Sequence, residues 1–206
     1  MSPTQQTRSM LRTFFLDAIN TVAFFGNALR LAPAGVLWWA SKRRSTIEKD
    51  LCRWTHVYYP GQQAGWKTWV NLMARFPEFR SVFYFRIGWP ARLVQWLLRG
   101  ESTLHIATRD IGPGLFIQHG FATIIVAKKI GSDCWVNQQV TIGHKGLAAP
   151  VLGDRVTVTA GAKVLGGIVI GNDVTIGANA VVVKDVPDGC VVGGVPARVI
   201  RTTCPP

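Results

Sequence analysis

The feature that most constrains the fold is a six-residue repeat in the second half of the chain. From residue 152 onward an aliphatic side chain returns every six positions, and small residues fill the turns between. A unit of six residues is too short for a helix-turn-helix repeat and too regular for a β-sandwich. The repeating aliphatics are Leu152, Val158, Val164, Ile170, Ile176 and Val182, and earlier blocks contain Ile111, Ile117, Ile130, Val136 and Ile142.

Such a unit suits one flat side of a triangular coil, and three sides give a coil of about eighteen residues. Stacked coils pair their backbone groups between layers, while the inward aliphatics form a continuous column. The register slips twice, between Thr123 and Ile130 and across residues 144–151. Because insertions leave a solenoid as loops, and loops commonly carry function, we expect the slips to lie near a site.

The preceding part of the chain has no such period. Residues 46–103 predict a helical domain, with breaks at Pro60-Gly61 and at Pro77 and a helix stop at Gly100. The expected organisation is therefore mainly β with α. An N-terminal segment covers residues 1–45, a helical domain covers 46–103, and a β-helix with a C-terminal tail covers 104–206.

The N-terminal segment is apolar, aromatic and basic. The chain has a formal charge of +12, and residues 1–103 carry 14 Lys and Arg against 5 Asp and Glu. Residues 14–44 are too interrupted for a spanning helix, but aromatic and basic side chains suit the lipid headgroup zone. Asp17, Arg30 and Pro33 interrupt the apolar run, and one interpretation is a pair of interfacial helices with a basic rim, in peripheral contact with a membrane. The alternative is an ordinary helix that covers a core or a subunit contact.

Composition also argues against several kinds of partner and cofactor. The basic residues come with many apolar ones and no nucleic-acid-binding motif, so no nucleic acid partner is expected. The cysteines form no C-x-x-C pair, which argues against a zinc site or a disulfide framework, and no metal is expected. We therefore expect a cytoplasmic protein, with the inner face of the cytoplasmic membrane as the surface for any peripheral contact. The four cysteines are Cys52, Cys134, Cys190 and Cys204.

Six short motifs stand out in the chain: FYFRIG at 83–88, IGPGLFIQHG at 111–120, VTIG at 140–143, AGAKVLGGIVIG at 160–171, IGANAVVVKDVP at 176–187 and GVPARVI at 194–200. Together they resemble the serine acetyltransferase branch of the hexapeptide-repeat acyltransferases, over roughly residues 46–201. The resemblance implies a left-handed parallel β-helix, an exception to the usual right-handed crossover. It also implies a homotrimer that binds acetyl-CoA, as co-substrate, in the groove between neighbouring subunits.

Acetyl transfer to an alcohol needs a base for the hydroxyl proton, and histidine suits that role because its unperturbed pKa is about 6.5. The resemblance places the catalytic histidine of this family at His119. His144 opens the loop before Pro150 and is the second candidate, as base or as an acceptor-binding residue. His56 and His105 lack such a context, so a surface or packing role is expected for each.

The sequence departs from the serine enzymes where they hold the amino acid. Those enzymes have an Asp-His pair and an Arg-His-Pro run, and this chain has Gln118-His119 and Ala148-Ala149-Pro150. Hydrogen bonds to charged groups are worth roughly 1.5–3 kcal/mol each, so serine is expected to bind poorly. The aspartate that orients the family's histidine aligns near Leu104. The orienting partner here is therefore left open between a backbone carbonyl and Asp110.

These departures lead to an expected acceptor other than serine. The hypothesis is an acetyl-CoA-dependent O-acetyltransferase acting on a sugar hydroxyl of an exopolysaccharide, a capsule or a lipid-linked glycan precursor. The alternatives are a serine O-acetyltransferase of cysteine biosynthesis and a non-catalytic trimeric scaffold. Substrate contacts are expected from Gln118, Asp110 and Lys145, and acetyl-CoA contacts from Ala160, Ala178, Lys163, Lys184, Arg198 and Arg201.

Overall fold

The computed structural model describes residues 3–202, with side chains from residue 18 onward. Helices occupy the first half and short strands the second. The terminal Cys204 and the side chains of residues 14–17 lie outside the described part. The helices are α1 (Pro3–Ala40), α2 (Arg44–Tyr58), α3 (Trp66–Arg75) and α4 (Pro77–Ile87), followed by a 3-10 helix (Trp89–Leu93).

In residues 3–202, fourteen strands form three sheets that are the faces of a triangular β-helix of about five coils. The strands are β1 (Leu104–Ile106), β2 (Phe116–Ile117), β3 (Thr123–Ile125), β4 (Lys129–Ile130), β5 (Trp135–Val136), β6 (Thr141–Gly143), β7 (Val151–Leu152), β8 (Thr157–Val158), β9 (Lys163–Leu165), β10 (Val169–Ile170), β11 (Thr175–Ile176), β12 (Val181–Val182), β13 (Cys190–Gly194) and β14 (Ala197–Thr202).

Face 1 contains β1, β3, β6, β9 and β12, face 2 contains β4, β7 and β10, and face 3 contains the rest. All pairings between coils are parallel, and only β14 folds back antiparallel on β13. The expected left-handed β-helix of hexapeptide repeats is confirmed. The slip predicted across residues 144–151 coincides with the corner between face 1 and face 2. The slip predicted between Thr123 and Ile130 falls on β3 and on the same corner of the preceding coil, where five residues instead of six separate the paired positions Ile124 and Lys129.

The predicted aliphatic column is confirmed as the core of the β-helix. Its members are 0–2% exposed, apart from Ile111 at 7%. A buried apolar side chain contributes about 1.5–3 kcal/mol relative to an exposed one, so each coil adds a similar share of core energy. The coils therefore form a regular support for the residues at their corners.

Two expectations for the helical half are wrong. Helix α1 is one continuous helix with Pro33 inside it, so Pro33 does not divide residues 14–44 into a helix pair. The Pro33 side is exposed while Leu31 and Ala34 are buried, so the surrounding packing holds the helix together across the proline. Gly100 does not end a helix either, because the segment after Leu93 consists of turns. The breaks at Pro60-Gly61 and at Pro77 are confirmed.

A buried ion pair joins the helical half to the first coil. In α4, Arg86 donates from Nε to Asp50 Oδ2 at 2.8 Å and from Nη1 to the Ile111 carbonyl at 2.6 Å. Asp50 of α2 also accepts the Gly114 N–H at 2.7 Å and the Leu115 N–H at 3.0 Å. Burial raises the pKa of Asp50, and Arg86 and these two N–H groups oppose the shift. The pair fixes the helices against the segment that leads to β2.

Among the described residues, no helix is both long and apolar enough to cross a membrane. Three cysteines of the described part are free, and burial raises the pKa of the Cys134 thiol to about 11.

Candidate active site

His119 lies at the corner between face 3 and face 1, in an insertion that breaks the repeat. Paired positions are six residues apart across this corner in later coils, as from Trp135 to Thr141. In the first coil the same span, from Phe116 to Ile124, is eight residues. The extra residues form an exposed turn, which we call the His119 corner (residues 118–122), and it presents His119 to solvent.

The backbone of His119 is in the left-handed region, with φ of 52°. Six other non-glycine residues share this conformation, but they occupy two columns that recur at equivalent corner positions in successive coils. His119 belongs to neither column. Left-handed backbone is costly for residues other than glycine and often marks functional positions, which supports a role for His119. The columns contain Asp133, Arg155 and Asp173 at one corner and Ala122, Gln139 and Asn179 at the other.

Neighbouring side chains leave no space beside the turn at Gly120. A Cβ built there would lie 2.9 Å from Ile117 Cγ2, 3.1 Å from Leu104 Cδ2 and 3.2 Å from Glu78 Cγ. Leu104 therefore packs beside the turn, and no carboxylate is present at the position where the family's orienting aspartate aligns. The Glu78 side chain of α4 comes to the same turn from the helical half.

A second set of hydrogen bonds anchors the turn. The Thr103 hydroxyl accepts the Ala122 N–H at 2.9 Å and donates to Glu101 Oε1 at 2.8 Å. Donation from the Thr103 N–H and hydroxyl lowers the pKa of Glu101. On the coil above, Asn137 Nδ2 donates to Gln118 Oε1 at 3.4 Å. The candidate base therefore lies on a turn that is held from two sides.

His144 lies at the other end of face 1, at the corner between face 1 and face 2. Ten residues separate Thr141 from Val151, whereas six separate the equivalent Lys163 and Val169. The four additional residues form an exposed loop, residues 144–149, which we call the His144 loop. Backbone hydrogen bonds in both directions between Lys145 and Ala148 close the loop. A cleft of about 600 Å³ opens beside it, lined by Lys128, His144, Ala148, Ala149 and Gly167 among others.

The predicted substrate and base residues therefore divide into two groups within one chain. Gln118 and His119 are at the His119 corner, whereas His144, Lys145 and Asp110 are at the corner between face 1 and face 2. The exposed Asp110 is separated from His119 by the width of face 1, so it is poorly placed to orient that imidazole.

The predicted acetyl-CoA residues are also divided. Ala160 and Ala178 stack in successive coils on the same corner as His119, since the Asn179 N–H donates to the Ala160 carbonyl at 2.9 Å. Lys163 donates to the Gln139 carbonyl at 2.6 Å on this corner. Lys184 is at the opposite end of face 1, and Arg198 and Arg201 are exposed on β14. The four cations do not converge on one point of a single chain.

Sequence reasoning missed Glu78 and the Thr103–Glu101 anchor. Glu78 is distant from His119 in sequence, and no motif marks it, so only the docking of α4 on the coil reveals it. In the part of the chain with described side chains, no three His, Cys, Asp or Glu residues are grouped in a way that could hold a metal ion.

Several known proteins are similar to this chain. The family model for the bacterial transferase hexapeptide (six repeats) matches residues 149–184. A serine acetyltransferase of Helicobacter pylori is 50% identical over 124 residues, which are 57% of this chain and 70% of that protein. A serine acetyltransferase of Synechococcus elongatus is 47% identical over 109 residues, which are 50% of this chain and 44% of that protein.

Solved structures agree with these matches. The serine acetyltransferase of Neisseria gonorrhoeae in complex with serine superposes with a TM-score of 0.61 at 26% identity, covering 78% of this chain and 69% of that one. The Brucella abortus serine acetyltransferase in complex with coenzyme A has a TM-score of 0.60 at 22% identity, covering 82% and 72%, and this shows a shared fold. This chain spans 44% to 70% of the length of the curated relatives cited above.

The expected sugar acceptor is contradicted by these relatives, which are serine acetyltransferases at 47% and 50% identity. The expectation rested on charges missing at Gln118, Ala148 and Ala149. It took no account of Glu78, whose side chain lies beside the turn at Gly120, or of Lys128, which lines the cleft together with Ala148 and Ala149. The repeat, the coil and these matches together show that the chain belongs to the hexapeptide-repeat acyltransferases, in their serine acetyltransferase-like branch.

Proposed function

We propose that this protein is an acetyl-CoA-dependent serine O-acetyltransferase. The observation that carries the proposal is its 50% identity to a serine acetyltransferase over 124 residues, which are 70% of that protein. The strained insertion that exposes His119 gives the chain a candidate for the catalytic base. The acceptor, the trimer and the cellular location are all parts of the proposal.

In the proposed reaction, the serine hydroxyl attacks the thioester carbonyl of acetyl-CoA while the His119 imidazole takes the hydroxyl proton. The tetrahedral intermediate collapses by breaking the C–S bond, and the protonated imidazole returns its proton to the departing thiolate of CoA. The products are O-acetylserine and CoA, with the base regenerated. General base catalysis of this kind typically contributes about 10²- to 10⁴-fold. His144 is retained as a second candidate, for the base or for acceptor binding.

Two charged side chains are proposed to replace the missing serine-binding residues. Glu78, beside the turn that carries His119, supplies a negative charge for the ammonium group. Lys145 in the His144 loop supplies a positive charge for the carboxylate, and Lys128 lines the adjacent cleft. Gln118 contributes a neutral amide to the acceptor, fixed by its hydrogen bond with Asn137. Asp110 is a weaker candidate for acceptor binding because it does not line the cleft beside the His144 loop.

The proposed homotrimer gives a reason why these groups lie at opposite ends of face 1. In a cyclic trimer each contact joins two different surfaces of neighbouring subunits. If face 1 is turned toward the threefold axis, the His119 corner of one subunit meets the His144 loop of the next. Acetyl-CoA would then lie in the groove between them, with Ala160 and Ala178 against the pantetheine arm. Lys163, Lys184, Arg198 and Arg201, drawn from two subunits, are the candidate phosphate contacts.

We also propose a peripheral contact between residues 14–44 and the inner face of the cytoplasmic membrane. Helix α1 supports this proposal because one of its faces is apolar and exposed.

The decisive experiment measures CoA release from acetyl-CoA, with a thiol reagent, in the presence of serine, threonine, homoserine or no acceptor. Serine-dependent release with O-acetylserine detected by mass spectrometry is the expected result. Absence of release with serine at millimolar concentration, for a protein shown to be trimeric and to bind CoA, would overturn the proposal.

A further inference from the structure

Helix α1 has two apolar faces, and only one of them packs on the protein. Leu31 and Ala34 are buried against α3 and its neighbours. On the opposite side the side chains are 64% to 80% exposed and are spaced by three, four, seven and three residues, which aligns them along one stripe of the helix. The exposed stripe consists of Val22, Phe25, Leu29, Val36 and Trp39.

The 3-10 helix and the turn after it extend this exposed apolar surface. Trp89, Leu93 and Trp96 are 65% to 77% exposed. This segment lies beside α1, since Arg30 donates to the Leu97 carbonyl and a cleft between the two is lined by Leu37, Trp89 and others. We call the α1 stripe and these three residues the tryptophan surface. Large exposed apolar patches on a protein surface often mark sites of contact with another protein or a membrane.

The charge around the tryptophan surface favours one class of partner. Residues 18–100 contain 12 Lys and Arg against three acidic residues. Glu48 pairs with Arg44, Asp50 is buried with Arg86, and Glu78 is at the His119 corner. In the described part of the chain, the salt bridges leave Lys42, Arg43 and Arg92 without an acidic partner. The rim of the surface is therefore cationic.

We infer that the tryptophan surface docks on an anionic lipid bilayer, with α1 lying in the plane of the headgroups. Tryptophan prefers the membrane interface because its ring is apolar and its N–H is polar, and cations beside it are attracted to anionic lipid. A second copy of the chain is a poorer occupant, because a contact between two identical surfaces would place their cationic rims together. The inference deepens the membrane contact proposed above and does not depend on the acetyl acceptor.

The test uses the full-length protein and sedimentation with vesicles. We expect binding to vesicles of phosphatidylcholine with about 30% phosphatidylglycerol to exceed binding to pure phosphatidylcholine by roughly tenfold, and to fall in 0.5 M NaCl. Trp39→Ser/Trp89→Ser/Trp96→Ser is expected to reduce binding to the anionic vesicles by about tenfold or more, because three interfacial anchors are lost. Lys42→Gln/Arg43→Gln/Arg92→Gln should do the same and remove the salt dependence.

Matched controls come from exposed residues of the β-helix. Val195→Ser/Val199→Ser removes exposed apolar side chains, and Arg109→Gln/Lys129→Gln removes exposed cations, so both should bind vesicles like the wild type. Circular dichroism and CoA release in solution show whether each variant folds and works. An inactive protein that still binds vesicles would count against the proposed function alone.

Two results would overturn the inference. In the first, the wild type binds neutral and anionic vesicles equally, and the tryptophan variant binds both to the same extent as the wild type. The other is an assembly mass, from analytical ultracentrifugation, that falls in the tryptophan variant while neither protein binds vesicles. The second result would make the tryptophan surface a contact between copies of the chain.

Discussion

The two corners at the ends of face 1 both depart from the six-residue repeat, but they do so in different ways. The His119 corner gains two residues, and it is held by Thr103, by the packing of Leu104 and by α4 of the helical half. The His144 loop gains four residues, has an internal pair of backbone hydrogen bonds and borders an open cleft. A firmly held turn suits a base that must meet its substrate in one geometry. An exposed loop suits the recognition of an acceptor.

The largest expected effect is at the His119 corner. We expect His119→Ala to lower kcat by about 10³-fold, because general base catalysis is lost. His56→Ala is the matched control, since His56 is exposed on α2 and has no proposed role. CoA release under saturating serine measures both variants. A larger loss in His144→Ala than in His119→Ala would exchange the roles of the two corners.

The next largest effect concerns the buried ion pair that joins the helical half to the segment before the His119 corner. Asp50→Ala leaves Arg86 buried without its partner, and breaking such a pair typically costs about 3–5 kcal/mol. Urea denaturation should show this loss in the free energy of unfolding. Asp173→Ala, which removes the exposed ion pair with Arg155, should have little effect. Equal effects of the two substitutions would refute a structural role for the buried pair.

The substrate charge at the His119 corner is tested by Glu78→Gln. We expect the KM for serine to rise roughly tenfold or more, because a hydrogen bond to a charged group is worth about 1.5–3 kcal/mol. The KM for acetyl-CoA should stay the same. A rise in both constants would indicate a general disturbance of the turn rather than a contact with the ammonium group.

At the His144 loop, Lys145→Gln is expected to raise the KM for serine only a few-fold. The side chain is exposed, and exposed ion pairs contribute about 0.2–1 kcal/mol. Lys129→Gln, an exposed cation on face 2, is the control. If Lys145→Gln exceeds Glu78→Gln in its effect, the loop, and not the turn, dominates acceptor binding.

The smallest effect is a pH dependence at the His119 corner. The pKa of Glu101 is lowered from its ordinary value of 4.5 by donation from Thr103. A carboxylate with a lowered folded pKa stabilises the protein fully above its unfolded pKa, and this contribution disappears as pH falls through the folded pKa. The difference in unfolding free energy between wild type and Glu101→Gln should therefore shrink below about pH 4.5. A difference that is constant from pH 7 to pH 3 would exclude this role.

Prediction from sequence succeeded where the structure is periodic. The aliphatic column, the three-sided coil and the insertion at the His144 loop follow from spacing, because each coil repeats the same local contacts. The two extra residues of the His119 corner lie before the slip that spacing predicts between Thr123 and Ile130. Prediction failed for α1 and for the segment after Leu93, where packing overrides local signals such as Pro33 and Gly100. The acceptor was mistaken for a related reason. The hypothesis counted the charges that are missing from local motifs, and spacing could not reveal that Glu78 of α4 lies beside the His119 corner.

The sequence by itself determined the β-helix, its family resemblance and His119 as the candidate base, since these depend on residues close together in the chain. Only the tertiary structure decided that His119 has a left-handed backbone at a position outside the two columns of such residues. It also decided that Glu78 lies beside the turn that carries His119. It also decided that α1 leaves one apolar face uncovered. These features depend on contacts between distant segments, and sequence spacing carries no information about which faces of a helix and a coil meet.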